Sequence, residues 1–479
     1  MKILMVASEA RPFCKTGGLA DVAYSLSKEL AVMGQEVFIV LPYYKLVKEK
    51  VNPNVKKVTS FPITMSWRKT LANVYVTYDS GITYYFIENS QYFDRDGFYG
   101  YNDDGERFAF FVLAVKELLY HVSLVPDIIH THDWHPGMLA CVMKEDEYAR
   151  NYFKNTKFVT SIHNPAFQGL MGKNMLGEFY GLPDNLYDLG QVRFKGQVSS
   201  LKSAVMYSDK ITTVSPNHRH ELLTPEGSMG LNNVLEYREY DFQGILNGID
   251  YLEFNPEADD KLPYQFSVKN ALEGKAKNKA ALFQKLNITD YGHPCFSLVS
   301  RVTWQKGMDL VFPAVEELAK RGSNIIMLGS GEYQYEQKME ELRARYPDKI
   351  AIYIGYNDQL AHEIYASSDF FLMPSLFEPC GLGQMIAQRY GTLPIVRRTG
   401  GLRDSVICYD GNNVDSANGF GFDAYDPSEM VRTCVWAYDN WWKPEVRKQL
   451  VINAMNTDNS WQKSANEYLA LYKSIVSNK

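Results

Sequence analysis

None of the apolar stretches in this chain approaches the ~18 residues that a membrane span needs, so no membrane partner is expected. Blocks of basic residues are missing too. A formal net charge of -6 and a pI near 5.9 exclude a general nucleic-acid binder. The six cysteines (Cys14, Cys141, Cys295, Cys380, Cys408, Cys434) lie far apart with no CxxC pair, which fits free thiols in a reducing cytoplasm. The opening run from Lys2 to Ala7 is too short for a secretory leader and has the composition of a first core strand. What is abundant is aromatic: 14% of residues, a content that suits carbohydrate stacking as well as cores. A length of 479 residues exceeds one ordinary core, so two or three domains are expected.

The chemistry concentrates in residues 377–402, FEPCGLGQMIAQRYGTLPIVRRTGGL. Phe370-Phe371-Leu372-Met373 before it reads as a buried strand, and Pro374 and Pro379 stop regular pairing. Cys380-Gly381-Leu382-Gly383 then opens an apolar helix, whose first N–H groups lack intrahelical partners and favour an anion. Glu378 stands just ahead of that start; it would repel the anion, so hydroxyl groups are its natural partners. A second glycine turn, Thr399-Gly400-Gly401, follows the apolar run Leu393-Pro394-Ile395-Val396. Together these ask for a ligand that is both phosphate and polyol, a nucleotide sugar; the plainer reading is a strand-to-helix turn with glycines for packing.

Toward the amino terminus, Lys15-Thr16-Gly17-Gly18 follows the first strand and precedes a helix with Leu19, Val22, Ala23, Leu26 and Leu30 at helical spacing. Val37-Phe38-Ile39-Val40-Leu41 is the next strand, completing a βαβ unit without GxGxxG, so a dinucleotide fingerprint is not supported. Lys15 brings a positive charge to that loop, and Asp21 follows near the helix start. Residues 50–90 alternate apolar and polar, as antiparallel strands inserted into the first domain. The aromatic loop at residues 92–101, with Tyr99 in it, suits sugar stacking at a cleft rim; its Asp94-x-Asp96 reads as a chance pair and not a metal site. Thr131-His132-Asp133-Trp134-His135 follows a strand ending at His130, and one tight turn does not converge zinc ligands, so Asp133 and Trp134 are read as cleft residues and no metal is expected. Phe158-Val159-Thr160-Ser161-Ile162 ends likewise in His163-Asn164, so Lys15, Asp133 and His163 are all expected beyond strand ends on one sheet edge.

Residues 255–263, rich in proline and acids, read as a linker. The alternation then restarts: strand Phe296-Ser297-Leu298-Val299, a loop with Arg301 and Lys306, a helix from Leu310 to Arg321, and strand Asn324-Ile325-Ile326-Met327-Leu328. Two cations in one loop and the helix start after Glu378 would neutralise a diphosphate. Trp436, Trp441 and Trp442 read as packing residues.

Several motifs, in order, resemble the family of bacterial glycogen synthases and plant starch synthases. They are Lys15-Thr16-Gly17-Gly18-Leu19-Ala20-Asp21-Val22, His132-Asp133-Trp134-His135, His163-Asn164, Thr224-Pro225-Glu226, Asn247-Gly248-Ile249-Asp250, Ser300-Arg301 to Gly307, Glu378-Pro379-Cys380-Gly381-Leu382 and Arg397-Arg398-Thr399-Gly400-Gly401-Leu402. The resemblance implies an α/β protein of the GT-B glycosyltransferase fold, two Rossmann-like domains facing across a deep cleft. It implies an acceptor domain at 1–250, a nucleotide-sugar domain at 251–455 and a carboxyl-terminal helix at 456–479 returning to the first domain. The implied reaction is cytoplasmic, retaining transfer of glucose from ADP-glucose to the nonreducing end of glycogen or a maltooligosaccharide, without cofactor or metal.

Carried over by position, the family gives Lys15, Gly18, Arg301 and Lys306 to the donor's diphosphate and Glu378, His163 and Asn247 to the transferred glucose. Cys380, Gly381 and Leu382 present backbone amides to sugar and phosphate, with Thr399 and Gly400 beside them on the donor. Asp21, Asp133, Trp134, Asn164 and Tyr99 shape the cleft and acceptor side. Three positions depart from the family: Gly383 replaces a threonine of the phosphate turn, Gly227 stands where a tyrosine follows Pro-Glu, and Ile386, as in synthases generally, replaces a second glutamate found in related transferases. UDP-glucose as donor, a glucan phosphorylase and a non-catalytic glucan-binding protein are the alternatives; no feature points to a phosphorylase's pyridoxal phosphate.

Overall fold

The opening strand β1, Lys2–Val6, is buried from Ile3 onward, as befits a run apolar on both faces at the centre of a parallel sheet. It belongs to a computed structural model that describes residues 1–49 and 55–476; the first residues of the alternating stretch at 50–90 lie outside the described residues. The further strands of the amino-terminal half are β2 (Glu36–Pro42), β3 (Lys56–Met65), β4 (Arg68–Asp79), β5 (Ile82–Glu88), β6 (Ile128–His132), β7 (Lys157–Ile162), β8 (Leu170–Met171), β9 (Arg193–Phe194), β10 (Gln197–Ser199), β11 (Lys210–Thr213) and β12 (Phe242–Gly244). A nine-stranded sheet runs in the order β12-β11-β7-β6-β1-β2-β5-β4-β3. It is parallel from β12 to β5, and β4 and β3 add antiparallel pairs. The alternating strands pair antiparallel with one another, as expected, and β5 joins β2 in parallel register, so that they extend the main sheet. A small antiparallel sheet, β8-β10-β9, lies outside it.

The carboxyl-terminal half builds a six-stranded parallel sheet from β13 (Cys295–Val299), β14 (Asn324–Gly329), β15 (Ile350–Ile354), β16 (Phe370–Met373), β17 (Leu393–Arg397) and β18 (Phe420–Phe422), ordered β15-β14-β13-β16-β17-β18. The helix Met308–Lys320 lays Leu310, Val311, Ala314, Val315 and Leu318 on the core containing Phe296, Ile325, Phe370 and Ile395. Each large side chain buried there contributes about 1.5–3 kcal/mol.

By contacts the chain divides into two compact units, Met1–Ile245 with Ser464–Lys479, and Leu246–Lys463. Residues 255–263 are therefore not a free linker. Asp259 is buried in the second unit, where Oδ2 accepts from His362 Nδ1 at 2.7 Å and from the Tyr390 hydroxyl at 2.5 Å. Trp441 packs against the second core and donates to Asp369 Oδ1 at 3.0 Å. All six cysteines are free thiols. Among the described residues no helix is long and apolar enough to cross a membrane.

The two sheets share one topological feature. In the first, β1 lies between β2 and β6; in the second, β13 lies between β14 and β16. Strand order reverses at β1 and at β13, and open α/β sheets bind ligands beyond the carboxyl ends of strands at such a reversal.

Candidate active site

In the first unit, the loop after β1 is built on a buried carboxylate. Glu9, 4% exposed, accepts from the Thr16 backbone N–H and from Thr16 Oγ1 at 3.0 Å. The pinned loop carries Lys15, whose ammonium pairs with Asp21 Oδ2 at 2.7 Å; Arg11 reaches Asp21 Oδ1 at 3.3 Å. Gly18 begins the helix Gly18–Val32, and a Cβ added at Gly17 or Gly18 meets nothing within 4 Å among the described residues, so packing does not demand glycine there. The Tyr99 hydroxyl lies 3.2 Å from Thr16 Oγ1, and its ring sits 4.8 Å from that of His135.

Beyond β6 and β7, the turn is organised by Asp133, a non-glycine residue at φ +57°. Its Oδ1 accepts from the backbone N–H groups of His163 (2.7 Å) and Asn164 (3.3 Å). Burial pushes its pKa up to about 7, and those two N–H groups oppose the rise. Asp133 therefore acts by holding the His163 turn in place. His163 Nε2 meets His132 Nδ1 at 3.0 Å, and burial lowers its pKa to about 4, which keeps the ring neutral. Asn164 is exposed, and its Oδ1 accepts from the Ala166 N–H at 3.0 Å. Trp134 is held in packing: its ring lies 5.2 Å from Phe108 and against the cluster of Ile162, Phe194 and Leu201, and its carbonyl accepts from Ser200 Oγ at 2.5 Å.

In the second unit, the loops after β13 and β16 are clamped together. Gly307 has φ +77°, and a Cβ there would come within 2.2 Å of the Pro374 carbonyl oxygen; no other residue permits that approach. The Leu376 N–H donates to the Gln305 carbonyl at 2.8 Å. So joined, the loops bring Lys306 Nζ to 2.5 Å from Glu378 Oε2, which also accepts from Ser375 Oγ at 2.9 Å. Glu378 is 8% exposed. Sequence reasoning separated the two roles; the structure binds the residues to each other. Arg301 is exposed and makes no ion pair among the described residues.

The turn at Thr399 and Gly400 closes on the same segment. Gly400 lies at φ +44°, and a Cβ there would stand 1.9 Å from the Glu378 carbonyl oxygen, while the Gly401 N–H donates to that oxygen at 3.1 Å. Cys380 is buried, its pKa is pushed up to about 12 by desolvation, and the Asn247 backbone N–H is directed at its sulfur. Asn247 is itself 7% exposed, and its Oδ1 has no hydrogen-bond partner among the described residues. Leu382 is the cap of the helix Gly383–Arg389, and Gly381 lies between it and Cys380. At Gly383 a Cβ would be 3.1 Å from the Phe371 ring, a tight contact. At Gly227 a Cβ would stand 2.1 Å from the Glu221 carbonyl oxygen, so a tyrosine cannot occupy this backbone.

Asp94 and Asp96 point to different lysines, Lys48 at 2.6 Å and Lys45 at 2.9 Å. Among the described residues one group of three potential metal ligands stands together, Glu253, Asp358 and His362. There the cation is a lysine: Lys261 Nζ lies 2.6 Å from Asp358 Oδ2 and 3.1 Å from His362 Nε2. Sequence reasoning missed Glu9, Ser375 and the contact of His132 with His163. Glu9 had a signal, an acid just past an apolar strand; the other two show only once the strands are paired.

Comparison with known proteins gives concordant matches. The family of starch synthase catalytic domains matches residues 2–237, and the glycosyl transferases group 1 family matches residues 280–457. The chain is 42% identical to a glycogen synthase of Clostridium kluyveri over 477 residues, 99% of this chain and 100% of that one. It is 41% identical to a glycogen synthase of Geobacillus stearothermophilus, covering 99% and 98% of the two chains. Among solved structures, the catalytic domain of starch synthase IV from Arabidopsis thaliana bound to ADP and acarbose superimposes with a TM-score of 0.88 at 33% identity, covering 99% of each chain. A sucrose-phosphate synthase from Thermosynechococcus elongatus, at 16% identity and a TM-score of 0.58 over 99% of this chain and 98% of that one, shares the fold alone.

Proposed function

The chain belongs to the family of bacterial glycogen synthases and plant starch synthases, glycosyltransferases of the GT-B fold, and from that premise we propose its reaction residue by residue. It transfers glucose from ADP-glucose to the nonreducing end of an α-1,4-glucan, with retention at the anomeric carbon and release of ADP, in the cytoplasm and without cofactor or metal. The first unit takes the glucan and the second the nucleotide sugar.

The observation that carries this reading is the Lys306–Glu378–Ser375 cluster at the strand reversal of the second sheet. As the glycosidic bond to phosphate breaks, positive charge grows on the sugar and negative charge on the diphosphate. Lys306 and Arg301, with Lys15 and the glycine loop at Gly18, stabilise the departing diphosphate. An ammonium has three protons, so Lys306 donates to phosphate while keeping Glu378. Glu378 accepts from sugar hydroxyls and sits near the developing positive charge. Asn247 Oδ1, buried without a partner among the described residues, is an acceptor suited to a further hydroxyl, and His163 is a donor to the sugar. Cys380, Gly381 and Leu382 offer main-chain groups to sugar and phosphate, and Thr399 and Gly400 hold that segment. The leaving phosphate oxygen takes the acceptor hydroxyl's proton. Tyr99 and Asn164 contact the glucan; Asp133 holds the Asn164 turn, Asp21 holds Lys15, and Trp134 packs against Phe108 and His135. The neighbour's bound ADP agrees with the proposed product.

The test compares initial rates of glucan labelling from ADP-glucose and from UDP-glucose, with EDTA present. Faster transfer from ADP-glucose, unchanged by EDTA, is expected. Transfer from UDP-glucose alone would overturn the donor, and glucan binding without transfer from either would overturn the reaction.

A further inference from the structure

Three imidazoles stand in a row in the first unit. The rings of His130 and His132 stack at 4.3 Å between centroids, and His132 Nδ1 lies 3.0 Å from His163 Nε2. Burial lowers the pKa of all three, so at neutral pH each ring carries a single proton. Where those protons sit follows from the partners. The Tyr472 hydroxyl lies 2.7 Å from His130 Nδ1 and, being buried, donates to it; His130 therefore holds its proton on Nε2, 2.7 Å from Ser161 Oγ. His132 has the opposite arrangement. Its Nε2 is buried with no partner among the described residues. A proton there would be an orphaned buried N–H, a rarer and costlier defect than an unused lone pair. The His132 proton is thus on Nδ1 and is donated to His163 Nε2, which leaves the His163 proton on Nδ1.

We propose that His132 is a positioning residue that fixes His163 in its Nδ1–H form, so that His163 offers a hydrogen-bond donor to an oxygen of the transferred sugar. A free histidine side chain in water favours the Nε2–H form, and the hydrogen bond made by one ring nitrogen sets which one is protonated, so the neighbouring N–H is what selects the other tautomer. The functional part rests on His163 contacting the sugar, as proposed above; the tautomer does not depend on it.

Two-bond proton–nitrogen correlation spectra of the full chain labelled with ¹⁵N-histidine read the tautomer directly, with His163→Gln identifying the signal. The expected wild-type result is a protonated Nδ1 and a bare Nε2 at His163. His132→Leu should shift His163 toward Nε2–H and lower kcat/KM for ADP-glucose about fivefold to tenfold, the worth of one hydrogen bond. His132→Asn, whose amide N–H replaces Nδ1–H, should keep the tautomer and most of the rate. A wild-type His163 protonated on Nε2 would overturn the proposal, whether or not the leucine variant folds. So would a folded His132→Leu protein with the Nδ1–H form unchanged. A wild-type protein with the expected tautomer and no glucosyl transfer would overturn the reaction and leave the tautomer standing, so the two failures are distinguishable.

Discussion

Lys306 and Glu378 hold each other at 2.5 Å in a setting where the carboxylate is 8% exposed. Removing the cation leaves a nearly buried carboxylate with Ser375 as its remaining side-chain donor among the described residues. Lys306→Ala should therefore cost stability, about 1–3 kcal/mol in urea unfolding, as well as turnover. Glu378→Gln keeps the shape and should stay within about 1 kcal/mol of wild type, with kcat down about a hundredfold or more. Near-normal kcat in the folded glutamine variant would contradict the role given to Glu378. Asp133 makes a different prediction. Its folded pKa is raised by burial to about 7, so between pH 4 and 7 the unfolded chain has released a proton that the native protein keeps. Its contribution is fully present below pH 4 and is lost as pH rises to 7. Asp133→Asn should remove that trend, gaining up to about 4 kcal/mol relative to wild type over the window, as read from unfolding curves at pH 4.5 and 7.5. Identical pH slopes would contradict it. Glu378, Lys306 and His163 were legible in the sequence because charged or polar residues just past apolar strands are conspicuous. The partner of Asp133 could not be read there, because the N–H groups that donate to it belong to a strand end 30 residues further along the chain.

At the scale of elements, the glycines after β13 and β17 are what let loops from different strands touch. Gly400→Ala would drive a methyl group into the Glu378 carbonyl at φ +44°, and a loss of about 3 kcal/mol or more is expected, with activity falling through displaced Glu378. An unchanged melting temperature would contradict that packing. Gly383→Thr should cost about 1–3 kcal/mol against the Phe371 ring, and Phe371→Leu in the same chain should recover part of it. Strong apolar runs made β1, β2, β7, β13, β14, β16 and β17 readable, whereas β15 and β18 were not read. The two- and three-residue strands of the small antiparallel sheet had no period to read. The stretch at 255–263 was misleading for a physical reason: its prolines and acids look solvated, yet Asp259 is consumed by buried partners.

For the whole molecule, buried histidines set the response to acid. Burial lowers the pKa of His130 and His135 to about 3, of His163 to about 4, and of His132 well below its usual range. The unfolded chain takes up these protons near pH 6.5, so stability is full above that pH and falls as the medium is acidified toward pH 4. At pH 5 each histidine should weaken the first unit by about 2 kcal/mol, and the four together by more than Asp133 returns; an unfolding midpoint unchanged between pH 7 and 5 would contradict this. All four residues belong to the unit Met1–Ile245, so its transition should move first. The α/β class and the two successive Rossmann-like patterns were readable from alternating strand and helix runs; which loops touch is a matter of strand order, which the runs do not encode.

The reaction proposed for this chain is glucosyl transfer with retention onto a glucan end. It is tested most directly by ¹H NMR of the first product formed from ADP-glucose and a maltooligosaccharide, with EDTA present. The expected product is a primer one glucose longer, joined α-1,4 at its nonreducing end, with one ADP released per glucose. A primer that binds but stays at its original length, or a new β linkage, would contradict it.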